Sequence, residues 1–223
     1  RGFEKQEWSV GWDYFEGAGA EGIRGIGMYV ATKHKAEFKT TYAVIHDSKF
    51  PIRNKGAVAV QCIVNNKIYV FVSSHLSFKG GRLPDQGVPH RNAMFQYLNH
   101  ALSTQLTPGP PVCQRERLIA LNTAKAPNHC GHSSKNLEEI MKDSSDTSAT
   151  DWKGVEAVTW MGDLNYRFGG FGNTTGDKTN KWWTDADNNT RVEAFESRDQ
   201  LLHQLGDGGG LKGLGYQHPK FGH

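Results

Sequence analysis

The chemistry in this chain is concentrated in Trp160-Met161-Gly162-Asp163-Leu164-Asn165-Tyr166-Arg167, where a carboxylate and a carboxamide stand two positions apart. The run before them, Val155 to Trp160, is short, β-branched and aromatic, and reads as a buried strand. Gly162 interrupts it. Side chains alternate along an extended chain, so Asp163 and Asn165 are expected to point the same way, into a cleft at the strand end. Such a pair suits hydrolysis of a phosphate ester. The Asp orients or deprotonates an attacking water, and the Asn amide fixes that water or a phosphate oxygen. An Asx turn closing a strand is the plain structural alternative.

A second candidate group lies upstream. Lys67 to Val72 reads as a strand that ends at Ser73-Ser74-His75-Leu76, and a His there can donate a hydrogen bond to a phosphate oxygen. If this strand and the one before Asp163 are central neighbours, His75 and Asp163 share a cleft. A separation beyond ~12 Å would contradict that, because acting on one phosphate requires hydrogen-bond reach. Arg53-Asn54-Lys55-Gly56 precedes another β-rich run and reads as a tight basic loop entering a strand, with an ordinary hairpin turn as the alternative. Arg91-Asn92 opens a helical pattern. Asn128-His129-Cys130-Gly131-His132 carries ligand types, but two His and one Cys do not close a four-ligand zinc site unaided.

The elements that must position these residues are legible from period and punctuation. Ile23 to Thr32 and Tyr42 to His46 read as strands, and residues 1–22 as an irregular aromatic segment with one short strand. Asn65-Asn66 between two β-rich runs predicts a hairpin. Met94, Phe95, Tyr97, Leu98, Ala101 and Leu102 give a helical period over Arg91 to Thr104. Prolines at 108, 110 and 111 and a Ser/Thr/Asp-rich run at 143–151 mark an insertion at about 105–152, with a short helix from Lys135 to Lys142. Downstream, Ser197 followed by Gln200 reads as a capping box for a helix with Leu201, Leu202 and Leu205 on its face, stopped at Gly206.

The totals bound the class. A chain of 223 residues can bury a sizeable core and is most simply one domain. Its formal charge of +3 suits anionic substrates or an anionic membrane surface but is too small to argue for nucleic acid. No apolar run approaches the ~20 residues of a membrane span, and three cysteines fit a reduced, cytoplasmic setting.

The string Gly162-Asp163-Leu164-Asn165-Tyr166-Arg167 behind Trp160 resembles the signature of the inositol polyphosphate 5-phosphatases, a branch of the endonuclease/exonuclease/phosphatase superfamily. The superfamily nucleases share only the Gly-Asp-Leu/Phe-Asn core, and Tyr166-Arg167 is what points to the phosphoinositide branch. Asn54-Lys55-Gly56-Ala57-Val58, Ser74-His75-Leu76, Arg91-Asn92 and Leu211-Lys212-Gly213-Leu214 fall in the family's order, so the resemblance spans roughly residues 23 to 214. It implies a four-layer α/β/β/α sandwich of the DNase I-like type and a Mg²⁺-dependent phosphatase that removes the 5-phosphate from phosphoinositides or soluble inositol polyphosphates. Asp163, Asn165 and His75 would be catalytic. Asn54, Lys55, Arg91, Asn92, Tyr166 and Arg167 would shape the substrate site, with Arg167 anchoring Asp163, and Glu7 of the Gln6-Glu7 pair would hold the metal. The protein would work in the cytoplasm, peripherally at membranes, without nucleic acid. The rival readings are a superfamily nuclease and a phosphoinositide-binding remnant that has lost its chemistry.

The resemblance also implies blocks that are not found here: Pro-x-Trp-Cys-Asp-Arg, a terminal Ser-Asp-His, and a Lys/Tyr block for substrate phosphates. The chain therefore reads as a catalytic domain truncated at both ends. Catalytic groups that act as a unit fail together. This polypeptide alone is thus expected to release almost no phosphate from a soluble inositol trisphosphate in the presence of Mg²⁺. Robust release, abolished by Asp163→Ala, would instead show that Glu7 and a histidine such as His218 or His223 complete the site.

Overall fold

The computed structural model describes residues 8–17, 24–47, 50–77, 87–106, 128–143, 152–166 and 184–217. Seven strands occur among them: β1 (Ser9–Gly17), β2 (Arg24–Thr32), β3 (Glu37–Asp47), β4 (Phe50–Val64), β5 (Lys67–His75), β6 (Asn128–Asn136) and β7 (Ala157–Asp163). The helices are α1 (Val88–Leu106), α2 (Leu137–Lys142), α3 (Asn188–Arg198) and α4 (Gln200–Leu205), with a 3₁₀ turn at Lys212–Leu214. The chain divides into two compact units. One is Arg1–Leu76 with Tyr97–Asp163, and the other is Ser77–Gln96 with Leu164–His223.

The first unit is built on a five-stranded sheet in the order β6-β3-β4-β5-β7. β3, β4 and β5 are antiparallel neighbours, while β6 joins β3 and β7 joins β5 in parallel. Asn65 and Asn66 turn β4 into β5 with φ of 50° and 62°. Two successive left-handed residues are what a two-residue type I′ hairpin demands, and Asn tolerates that region better than most residues. A separate ribbon of β1 and β2 pairs in antiparallel register from Ser9↔Thr32 to Gly17↔Arg24.

Period-2 alternation sends two sets of side chains to opposite faces of the main sheet. On one face, Val44 and Val58 pack with Ile26 of the ribbon, and Phe38, Val60 and Cys62 form a second cluster joined by Met28, Val30 and Phe71. The Phe38 ring lies so close to Gly11 that a Cβ there would stand 2.2 Å from it. On the other face Ala43, Ala57, Ala59 and Val72 are fully buried, and Leu98 and Leu102 of α1 are buried as completely. Small side chains on a strand let a helix approach closely, and the Thr41 hydroxyl donates to Gln105 Oε1 across this layer. The result is a mixed α/β fold with two β layers and helices, the class expected of a DNase I-like protein.

Four local expectations are corrected. The strand before Asp163 runs from Ala157 and lies at the edge of the sheet among the described residues, so it is neither central nor fully buried. Only Val158 and Trp160 face inward; Ala157, Thr159 and Met161 are exposed, and the apolar run is one-sided. Arg53 to Gly56 is no loop, because β4 runs through it as strand; Gly56 and Lys55 pair with Val44 and Ile45, and the register with β3 shifts beyond Lys55. The cap of α4 is Asp199, whose side chain accepts from Leu202 N, while Ser197 lies within the last turn of α3 and donates to Glu193 O. Lys135 belongs to β6, and α2 starts after the Asn136 cap. The span 105–152 thus holds the end of α1, a strand of the main sheet and α2.

No helix among the described residues is long and apolar enough to cross a membrane. The helix-facing layer sets a stability test. Leu98 is fully buried, so Leu98→Ala should cost about 2–5 kcal/mol through lost transfer energy and a residual cavity, read as a lower urea midpoint with an unchanged slope.

Candidate active site

Three sequence-flagged side chains of the first unit converge where β5 and β7 end. Parallel pairing sets Ser74 beside Gly162 and His75 beside Asp163. β4 runs antiparallel to β5, so Gly56 pairs with His75 and Lys55 comes to the same end. Lys55 Nζ lies 2.5 Å from His75 Nε2, and His75 Nε2 lies 3.5 Å from Asp163 Oδ2. The shared cleft end expected for His75 and Asp163 is therefore present. Strict alternation would send Lys55 to the face opposite His75. Gly56, next to Lys55, takes φ 150°, a backbone geometry that side chains disfavour, and the register of β4 with β3 shifts just beyond Lys55.

The pairing at Gly162 is tight. This residue sits at φ 109°, and a Cβ on it would stand 2.2 Å from the Ser74 carbonyl oxygen and 2.8 Å from its nitrogen. Below it, Ser74 Oγ donates to Met161 O, and the Asp163 carbonyl accepts from Leu76 N at 2.9 Å. The backbone of Asp163 is thus fixed from both sides while its carboxylate stays 64% exposed. Burial pushes the Lys55 ammonium below its ordinary lysine range, and the Asp163 charge opposes that shift.

Asn165 does not continue the strand. β7 stops at Asp163, and Asn165 takes φ 55°, so alternation along an extended chain is not what orients it. It belongs to the second unit, where a different network assembles. Arg91, 1% exposed on α1, donates from its guanidinium to Gln200 Oε1 at 3.1 Å and stands 5.4 Å from the centre of the Tyr166 ring. Asn92 donates to Gln204 Oε1 and accepts from the Tyr166 hydroxyl, both at 2.7 Å. Gln204 Oε1 also accepts from Gly210 N, and Gln96 donates to Gly210 O. Burial pushes the Tyr166 hydroxyl far above its usual range although Arg91 pulls the other way, so it stays a protonated donor.

Sequence reasoning named Arg91, Asn92 and Tyr166 but missed Gln200 and Gln204 as their partners. The available signal was their spacing of four on a short helix, which puts both amides on one face. Glu7 and Arg167 lie outside the described residues, as does the side chain of Asn54.

Hard oxygen donors of the kind Mg²⁺ takes are offered by the exposed Asp163 carboxylate, and Mg²⁺ needs only one or two carboxylates beside water and substrate phosphate. Among the described residues no three His, Cys, Asp or Glu converge as a metal cluster, and the expected ligand Glu7 is not one of the described residues. An open cleft of about 440 Å³ lies at the other end of the strands, lined by Val30, His34, Cys62, Lys67 and Phe71 among others. Its thiol is a poor nucleophile, because burial pushes Cys62 up and away from the thiolate.

Compared with known protein families, residues 20–221 match the family model for endonuclease/exonuclease/phosphatase family 2. No curated protein matches the chain.

Gly162 gives a direct test of the pairing that places Asp163. Gly162→Ala should destabilise by about 1–3 kcal/mol or more, from a backbone clash added to a left-handed φ. It should also speed hydrogen exchange at the Leu76 amide. Gly213→Ala, with open space around its Cβ, should leave both unchanged.

Proposed function

The chain belongs to endonuclease/exonuclease/phosphatase family 2, a group of phosphoester hydrolases, and from that premise we propose that it removes the 5-phosphate from phosphoinositides or soluble inositol polyphosphates. The observation that carries this reading is the convergence of Lys55, His75 and Asp163 at one sheet end, immediately before Asn165-Tyr166-Arg167. The cluster combines one exposed carboxylate with a lysine and an imidazole, which suits an anionic ester and an attacking water.

In this reading Asp163 orients the water or takes its proton. Asn165, two residues on, positions that water against the phosphoryl group. Lys55 and His75 meet the phosphate oxygens. Arg91, Asn92 and Tyr166 hold the segment that continues to Arg167. Buried charge and amide groups bonded to one another make a directional support, and the substrate-binding role assigned to them is exerted through that segment. A Mg²⁺ held by Glu7 would supply charge neutralisation at the phosphoryl oxygens. The chain's mild positive charge suits peripheral attachment to an anionic bilayer.

In the full-length protein, Asp163→Asn should lower turnover about 10²-fold or more with substrate binding largely kept, and Asn165→Ala should behave alike. Equal losses in binding and turnover would assign Asp163 a structural role. The substrate class is tested by assaying a soluble inositol polyphosphate, a phosphoinositide in vesicles and a DNA duplex side by side. Cleavage of the duplex alone would replace the phosphatase reading with a nuclease.

A further inference from the structure

We propose that the cleft beside the Asn65-Asn66 hairpin binds a small amphiphile, an apolar chain that carries one anionic head such as a carboxylate. The cleft lies wholly within the first unit, lined by β2 and by the β4–β5 hairpin, at the end of β4 away from Lys55. Its volume of about 440 Å³ is that of a small-molecule site. The strand period grades it from polar to apolar. Lys67, Tyr69 and Phe71 alternate along β5, so they stand on one face in that order from the hairpin inward. Val64 lies opposite Lys67 and Cys62 opposite Tyr69 across the ladder. Phe71, Val30 and Val64 pack on the buried cluster of Phe38, Val60 and Cys62, so the inner wall is an outer face of the core. An apolar chain laid there takes itself and the half-buried faces of these side chains out of water.

The mouth selects the head group. Lys67, Asn65 and His34 line it, and His34 N donates to Thr32 Oγ1 at 3.2 Å, which ties the lip back to the end of β2. Lys67 Nζ lies 3.3 Å from Glu156 Oε1, with the two side chains 57% and 49% exposed. An ion pair so open to water contributes little, so the ammonium can turn to a ligand anion at small cost. A cationic head would meet it as a like charge. The surrounding charge favours a single dissolved molecule over a bilayer. Lys33, Lys35 and Lys67 are answered at this end by Glu37 and Glu156, all of them exposed. A bilayer is held by the excess of basic groups summed over a wide surface, whereas one head group needs one local cation.

The test uses the full chain, with dodecanoate kept monomeric as the probe. Titration followed by methyl NMR should give saturable shifts at Val30 and Val64, with one molecule bound per chain. Dodecanol and dodecyltrimethylammonium should each bind about tenfold more weakly or worse, the weight of one hydrogen bond to a charged group. Lys67→Met, a change at an exposed side chain, should weaken dodecanoate by a similar factor, leave dodecanol unchanged and keep the urea midpoint of the parent. Absence of saturable binding would overturn the inference, as would shifts centred near His75 instead of Val30 and Val64. Dodecanol binding as tightly as dodecanoate, or a Lys67→Met protein that binds dodecanoate like the parent, would remove the anionic head from it. Binding to vesicles of phosphatidylserine and phosphatidylcholine without binding of monomeric dodecanoate would replace the cleft site with a bilayer surface. Phosphate release is read at no step, so the result stands apart from the phosphatase reading.

Discussion

The parallel pairing of β5 with β7 is the constraint on which the site depends. Parallel ladders bring the C-terminal ends of both strands to the same level, and here the last rung sets His75 opposite Asp163. The rung before it admits no side chain at position 162, because the Ser74 backbone already occupies that space. A strand that may approach only as glycine is held at one register, since a slip of one residue would drive Met161 or Asp163 into Ser74. Two strands far apart in sequence are thereby locked, and the chemical groups inherit their spacing from the lock.

The second unit uses another kind of constraint. Its shape-determining groups are polar and paired: a buried guanidinium against an amide and an aromatic face, and a carboxamide shared between a tyrosine and a glutamine. Directional bonds of this sort fix orientation in a way that apolar packing does not, and leaving one member unmatched costs more than the bond itself contributes. The start of α1, the short helix α4 and the turn at Gly210 are tied through Asn92, Gln96 and Gln204.

Much of this was readable in the sequence where one physical cause dominates. The Asn65-Asn66 hairpin follows from backbone preference alone, and α1 from its apolar period. The meeting of His75 with Asp163 was legible because two β-rich runs each end in a functional side chain. What escaped was set by tertiary context. Val155 to Trp160 has the composition of a buried strand, yet at the edge of a sheet only alternate residues are covered. Arg53 to Gly56 carries loop-forming residue types, yet it is strand, with Lys55 and Gly56 paired to β3. Asp199 displaced Ser197 as a helix cap because α3 runs on through Ser197, an outcome that depends on where the preceding helix stops. The Lys55–His75 contact was invisible for the same reason: it needs a local break in alternation that only the folded backbone reveals.

The unbroken length of β4 has a practical side. From Lys55 to Val64 the strand rises about 30 Å at ~3.3 Å per residue, and Asn65-Asn66, both exposed, cap that far end. The turn is therefore a natural handle: an affinity label or a surface tether attached there would leave the reactive end of the same strand facing solution. Immobilised protein would then be oriented by this strand, with every molecule offering Lys55, His75 and Asp163 outward.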